Sequence, residues 1–499
     1  KVSPLGLVWR AASVPLAARA VANSVTLPAK TVTLSVLTPE GGKFETTIRP
    51  MPSYRPEILV AEQQRYTSPK NLAPEVPVRP LLHSASFSKP LVLDGKLRQK
   101  VAERLITEMG RAGFVIDGVS VEPREVIVFL RNKKFFVRAQ GLGRAARMIT
   151  NRIPESIEII TLVSLERGLE VSRVSLLRKD VETAARLTQS VGEIWHSARV
   201  EGPDPAAPPP EFVPVGRYPD LDFTIQPKTR QSLFDPERPF LFQVYGAFGV
   251  KAQLTPGLSM RGEIGINIYQ NFTDSKRPAG SSLPHVRSDI MRYLQDGKNG
   301  LSNLQVDYIR NLGQNWYGRV SAGYFEQMYG GVSGEGLYAP YGQRWAVGAD
   351  LNQVWKRDFN QRLGFQDYEV LTGHLSINYE FPSPRVLATA RAGRYLARDV
   401  GATFELTRIF ESGVRLGGFF TLTDVSSAEF GEGSFDKGIS LSLPLDLLLT
   451  NSSRRVSAMT LRPLFRDGGQ MVNVSSGLYS AIGKYSRGSL DLGWNRFLD

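Results

Sequence analysis

From Leu258 to Ile268, apolar side chains at Leu258, Met260, Ile264, Ile266 and Ile268 alternate with Ser259, Arg261, Glu263, Gly265 and Asn267. An extended strand sends the two sets to opposite faces, so the pattern predicts one oily and one wet side. The same split recurs with Trp345, Val347, Ala349 and Leu351 against Arg344, Ala346, Gly348, Asp350 and Asn352. It recurs again at 374–379, 414–423 and 439–445, and Leu490, Leu492 and Trp494 against Asp491 and Asn495 close the series.

Segments of about ten residues with this rhythm, bounded by turn residues, predict an antiparallel transmembrane β-barrel of about ten to fourteen strands over residues 240–499. Trp316, Tyr317, Tyr324, Trp345, Trp355, Tyr379, Tyr395 and Trp494 gather near segment ends, as interfacial girdles do. Phe497 is read as the near-terminal aromatic of a last strand.

The period is different upstream. Leu97, Val101, Leu105 and Met109 recur every four residues before Gly110 and Gly113, which predicts an amphipathic helix over Lys96–Met109. Glu125–Leu130 and Lys134–Arg138 read as a hairpin, Leu142–Asn151 as a second helix, and Ile157–Leu165 with Leu169–Leu177 as a second hairpin. Residues 89–200 are therefore expected to form a small periplasmic α+β module. Pro203, Pro205, Pro208, Pro209, Pro210 and Pro214 mark residues 201–239 as an extended linker. Residues 1–88 read as a β-containing connecting segment with a hairpin around Gly41-Gly42.

Composition narrows the chemistry. With no cysteine, disulfides and thiolate sites are excluded, and the four histidines lack helical metal-ligand spacing, so no metal and no cofactor is expected. The formal charge of +13 favours anionic partners: phosphates, acidic glycans or lipid head groups. The basic residues are dispersed among apolar ones, which argues against a nucleic-acid partner. No apolar run reaches the roughly 18 residues a membrane helix needs, although a barrel needs none. The chain opens at Lys1 with no leader pattern and is expected to be a processed or partial product.

Gly141-Leu142-Gly143-Arg144-Ala145-Ala146 matches the G-x-G-x-x-A form of a dinucleotide loop. It is read as a simple turn into a helix, because the strand before it is expected in an antiparallel hairpin rather than a parallel crossover. Inward positions Arg261, Arg319, Arg344, Arg391 and Arg415, with Glu263, Asp350 and Glu405, are candidate lumen-lining residues. They suit a conduit for anionic or polyhydroxyl substrates or, equally, salt-bridge packing that plugs a narrow barrel. Candidate mouth-loop residues are Arg287, Asp289, Glu326, Glu432, Asp436 and Lys437.

Several stretches carry a resemblance: Leu283-Pro284-His285-Val286-Arg287-Ser288-Asp289, Gly323-Tyr324-Phe325-Glu326-Gln327-Met328-Tyr329-Gly330-Gly331-Val332, Leu337-Tyr338-Ala339-Pro340, Gly393-Arg394-Tyr395-Leu396-Ala397-Arg398-Asp399, Thr421-Leu422-Thr423-Asp424, Gly431-Glu432-Gly433-Ser434-Phe435-Asp436-Lys437-Gly438 and Arg466-Asp467-Gly468-Gly469. On these the barrel half resembles the YjbH/GfcD family of outer-membrane exopolysaccharide and capsule export proteins. The resemblance implies a non-enzymatic conduit or docking element in the Gram-negative outer membrane. Its implied partners are exopolysaccharide, outer-membrane lipids with lipopolysaccharide, and periplasmic or outer-membrane polysaccharide export proteins. It also implies a further barrel upstream, of which Leu5–Trp9 would be the last strand. Two rival readings are a glycan hydrolase or lyase using Glu326, Glu432 or Asp436, and a plugged barrel acting as an assembly scaffold.

Overall fold

The computed structural model describes residues 94–185, 191–233, 240–272, 282–430, 434–462 and 466–499, together with two strands nearer the start. Those two, β1 (Val32–Leu37) and β2 (Lys43–Ile48), pair antiparallel and belong to a compact unit of their own, Lys1–Pro69. The strand expected at Leu5–Trp9 lies outside the described residues. The remainder falls in a second compact unit, Lys70–Asp499.

That unit opens with α1 (Gly95–Arg111), whose first turn is capped by Asp94 accepting from the Leu97 N–H at 2.8 Å. Its four-residue repeat buries Val101, Leu105 and Met109 against a sheet. The elements that follow are β3 (Phe114–Val121), β4 (Glu125–Asn132), α2 (Arg138–Thr150), β5 (Ile159–Glu166), β6 (Leu169–Leu177), α3 (Arg178–Ala185), α4 (Val191–Ser197) and β7 (Arg199–Glu201). The five strands line up in sequence order, with β4 and β5 parallel and the other pairs antiparallel.

Two expectations change here. The hairpin partner of β4 is the preceding β3, not residues 134–138. Asn132 explains the turn, because its Oδ1 accepts from the N–H groups of Lys134 and Phe135 and leads the chain out of the sheet into α2. Secondly, β4–α2–β5 is a parallel crossover, so the antiparallel argument against a dinucleotide loop fails. A different observation disposes of that loop: Gly141 and Gly143 lie inside α2, not in the turn before a helix. A Cβ on Gly143 would sit 1.6 Å from the Phe497 carbonyl oxygen, so the glycine makes room for the C-terminal segment.

The proline-rich stretch runs back over the module, where Phe212 and Val119 exchange backbone hydrogen bonds at 2.8 and 2.9 Å. The second sheet then begins at Asp220, ahead of the expected boundary at 240. Its strands are β8 (Asp220–Leu233), β9 (Phe240–Thr255), β10 (Leu258–Gln270), β11 (Gly300–Gly313), β12 (Trp316–Tyr324), β13 (Tyr329–Tyr338), β14 (Trp345–Arg357), β15 (Phe365–Pro382), β16 (Arg385–Arg394), β17 (Val400–Ile409), β18 (Arg415–Thr423), β19 (Asp436–Pro444) and β20 (Val456–Leu461). Short helices α5 (Ile290–Asp296) and α6 (Ser427–Phe430) interrupt the connections after β10 and β18. Each strand pairs antiparallel with its sequence neighbour, giving one 13-stranded meander. The hydrogen-bonded order ends at β8 and β20, which are not joined to each other among the described residues.

One end of the sheet carries three two-residue turns, at 256–257, 314–315 and 383–384, together with the longer connections 339–344 and 445–455. Pro256-Gly257 joins β9 to β10 with Gly257 at φ +80°, and Gln314-Asn315 joins β11 to β12 with both φ angles positive, as a right-twisted hairpin requires. The other end carries the longest connection, residues 271–299, along with 358–364 and 424–435. The module sits at the tight-turn end, where the Gly257 N–H donates to the Arg167 carbonyl at 3.1 Å.

The last strand expected from Leu490, Leu492 and Trp494 is not a strand. Residues 478–499 form α7 (Leu478–Ile482), α8 (Arg487–Leu492) and a 3-10 turn at Trp494–Arg496. Leu490, Trp494 and Phe497 are buried in the module core, with Trp494 4.8 Å from Trp195 and 4.5 Å from Phe497 between ring centroids. Phe497 is therefore a core residue in this structure, not the aromatic end of a sheet strand.

Candidate functional site

The two faces of the 13-stranded sheet differ as the alternation requires. Outward positions are large and apolar yet open to the surroundings: Ile268 is 67% exposed, Leu375 68% and Leu406 60%. Aromatic rings border this face at both ends. Trp316, Tyr338 and Trp345 stand 4.9 and 5.8 Å apart in succession at the tight-turn end, and Tyr324, Phe365 and Trp355 meet at 5.3 and 6.5 Å at the other. Trp345 and Trp355 lie on the same strand. At ~3.3 Å per residue they stand about 33 Å apart along the strand. Tyr317, Tyr395 and Trp494, also read as girdle residues, are instead buried.

The inner face is polar and paired. Arg319 donates to Glu335 at 2.8 Å, Lys228 to Glu263 at 2.6 Å and Arg391 to Glu405 at 3.4 Å, while Asp350 faces His374 at 3.4 Å. Arg261 lies 3.8 Å from Asp307, and Arg415 lines a cavity with no ion pair among the described residues. Arg344 departs from this set: it precedes β14, is exposed, and borders a cavity at the tight-turn end.

The chain after β20 crosses this inner face from the long-loop end to the module. Asp467 anchors its start, accepting from the backbone N–H groups of Val286, Arg287 and Ser288 at 2.7–2.9 Å and from the Ser288 hydroxyl at 2.8 Å. Further along, the Ser475 carbonyl accepts from Gln305 and Arg319, Ser476 meets Asp307, and the Leu478 N–H donates to Glu335. Met471, Val472 and Asn473 border two cavities, one of 780 Å³ against β8–β11 and one of 460 Å³ against β12–β18, so the segment acts as a partition.

At the long-loop end, the candidate mouth residues are pinned in pairs. Arg287 holds Glu326 at 2.8 Å, Lys356 holds Asp289 at 2.7 Å and Arg462 holds Asp436 at 2.9 Å. The Lys437 ammonium lies over the Phe435 ring at 4.2 Å, and Glu432 lies outside the described residues.

At the opposite end a cluster that the sequence did not single out joins three parts of the chain. Glu166, at the end of β5, accepts from Arg454 of the β19–β20 connection at 2.9 Å and from the Tyr485 hydroxyl at 2.8 Å. Burial would raise its carboxyl, but Arg454, Arg138 and the Tyr485 hydrogen bond outweigh that and hold it at about 2. Arg138 lies over the Tyr485 ring at 5.1 Å. Lys484 lines the smaller cavity with its side chain exposed there, and desolvation by the surrounding protein, aided by Arg138, pushes its ammonium down to about 8.

A family model described as exopolysaccharide biosynthesis protein YbjH matches residues 43–484. The chain belongs to the YjbH family. Within the family, "Uncharacterized lipoprotein YjbH" of Escherichia coli (strain K12) is 34% identical over 392 residues, 76% of this chain. The chain spans 55% of that relative's length. Among solved structures, "Salmonella typhi OmpF complex with Daunomycin" overlaps 45% of this chain and 85% of its own at 12% identity, with a TM-score of 0.26 too low to bear on the fold.

Proposed function

We propose that this protein is a non-enzymatic outer-membrane component of an exopolysaccharide secretion system. The 13-stranded sheet sits in the membrane as a barrel wall and the α+β module lies on the periplasmic side. The observation that carries the reading is the apolar outer face bounded by two aromatic belts, on a sheet whose other face is lined with charge. Three two-residue turns on the module side, against the 271–299 connection on the other, agree with a periplasmic orientation, since the longer loops of such barrels face outward. Lipid and lipopolysaccharide are then the outer face's partners, and the module is the docking surface for other export proteins. The name of the Escherichia coli relative adds an envelope location.

A second reading is favoured by the partition segment: the lumen is plugged in this state and the protein acts as a scaffold until the segment moves. Glu326 and Asp436, two of the three acids on which a glycan hydrolase could draw, are each engaged by a guanidinium, which argues against their use in the enzyme rival. The test has two arms. Deletion of the gene is expected to lower secreted polysaccharide, with the protein in the outer-membrane fraction and migrating differently on gels before and after boiling. Secretion unchanged by the deletion, or recovery of the protein free of membranes without detergent, would overturn the proposal.

A further inference from the structure

The geometry points to the larger inner cavity as a binding site for acidic sugars, uronate-bearing stretches of a polysaccharide, an inference that rests on the export reading above. Lys251 and Arg261 are direct partners across the β9–β10 pair, both on the inner face. Like charges opposed in this way destabilise a sheet, and an anion placed between them relieves the repulsion. Arg167 of the module approaches the same point: it donates to the Ser476 carbonyl at 3.2 Å, while Arg261 donates to the Ser476 hydroxyl.

The carboxylates nearby do not neutralise this group. Asp307 is 3.8 Å from Arg261 and already accepts from Ser321, Gln305 and Ser476. Asp222 faces Lys251 from β8 without an ion pair among the described residues, and Glu263 is taken by Lys228. Five cationic side chains border the cavity against two carboxylates. In the smaller cavity five face four, close to balance. A volume of 780 Å³ lies in the ~300–1,000 Å³ range of small-molecule sites. Thr224, Asn303 and Asn473 on its walls supply neutral polar groups of the kind sugar hydroxyls need.

The test is calorimetric titration of the whole protein in detergent micelles with trigalacturonate and with its neutral methyl ester. The acid is expected to bind, more weakly as salt rises, and the ester at least about tenfold less well. Lys251→Gln and Arg261→Gln should each lower affinity by about tenfold, the loss of a charged hydrogen bond, while the surface change Lys100→Gln leaves it unaltered. Unaltered gel mobility shift on boiling identifies variants that remain folded. Equal binding of acid and ester, no binding of the acid, affinity unchanged in both variants, or displacement by inorganic phosphate at equal concentration would each overturn the site. If the deletion abolishes secretion while trigalacturonate fails to bind, only this site falls. If binding is intact while secretion ignores the deletion, the site stands and the export role falls.

Discussion

Arg454 and Glu166 meet at 2.9 Å across the junction of sheet and module, and the Tyr485 hydroxyl completes the contact from the C-terminal segment. The three groups come from the β19–β20 connection, the end of β5 and the chain that has crossed the sheet. One carboxylate thus ties together three parts of the chain.

Acid should loosen that junction. The Glu166 carboxyl titrates near 4.5 when free and at about 2 in the fold, so its contribution is complete above 4.5 and is lost as pH falls through 2. The shift corresponds to about 3 kcal/mol. Thermal melts followed by tryptophan fluorescence should show Glu166→Gln less stable than the parent at pH 7. The gap should narrow on going to pH 2.

Lys484 carries a slope of the same sign at higher pH. Its ammonium is at about 8 in the fold against an ordinary 10.5, so the folded state binds fewer protons between those values and stability rises with pH across that window. Lys484→Met should flatten the rise. At pH 8 an amine-reactive reagent should label Lys484 ahead of ordinary surface lysines such as Lys100, as read by mass spectrometry, because about half of it is neutral there.

Trp494 tests the docking of the C-terminal segment. It stacks on Phe497, lies against Trp195 and donates from Nε1 to the Val191 carbonyl at 3.1 Å. Trp494→Ala removes a buried aromatic and should cost about 3–5 kcal/mol. Limited proteolysis of the folded protein should then cut within residues 478–499 while the strands stay protected.

The sheet was legible in the sequence because its two faces carry different residue types, and residues such as Ile264 and Glu263 record that alternation. The strands that escaped notice lack it. β3 is buried on nearly every residue, so its side chains show no period, and β8 carries Pro227, which an edge strand tolerates but which hides the pattern. The C-terminal error has a related cause. Leu490, Leu492 and Trp494 alternate like a strand, while Leu490, Trp494 and Phe497 repeat like a helix, and only the module core decides between the two. The opposition of Lys251 to Arg261 depends on register, which the pattern of each strand alone does not contain.

Asp467 bears on whether the partition can move. Its carboxylate satisfies three backbone N–H groups and a hydroxyl in the 283–289 loop, and it is 1% exposed. Asp467→Ala leaves those donors without a partner, at about 1–3 kcal/mol for each one that stays buried. The module end of the segment keeps Trp494 and Phe497 in place, so release is confined to the long-loop end. In planar bilayers the parent protein is therefore expected to conduct little and Asp467→Ala to show larger, flickering steps. Larger steps would mean the segment is a gate held mainly at its start. Silence from both proteins would mean that contacts deeper inside, such as Arg319 with Ser475, hold the partition without help from Asp467.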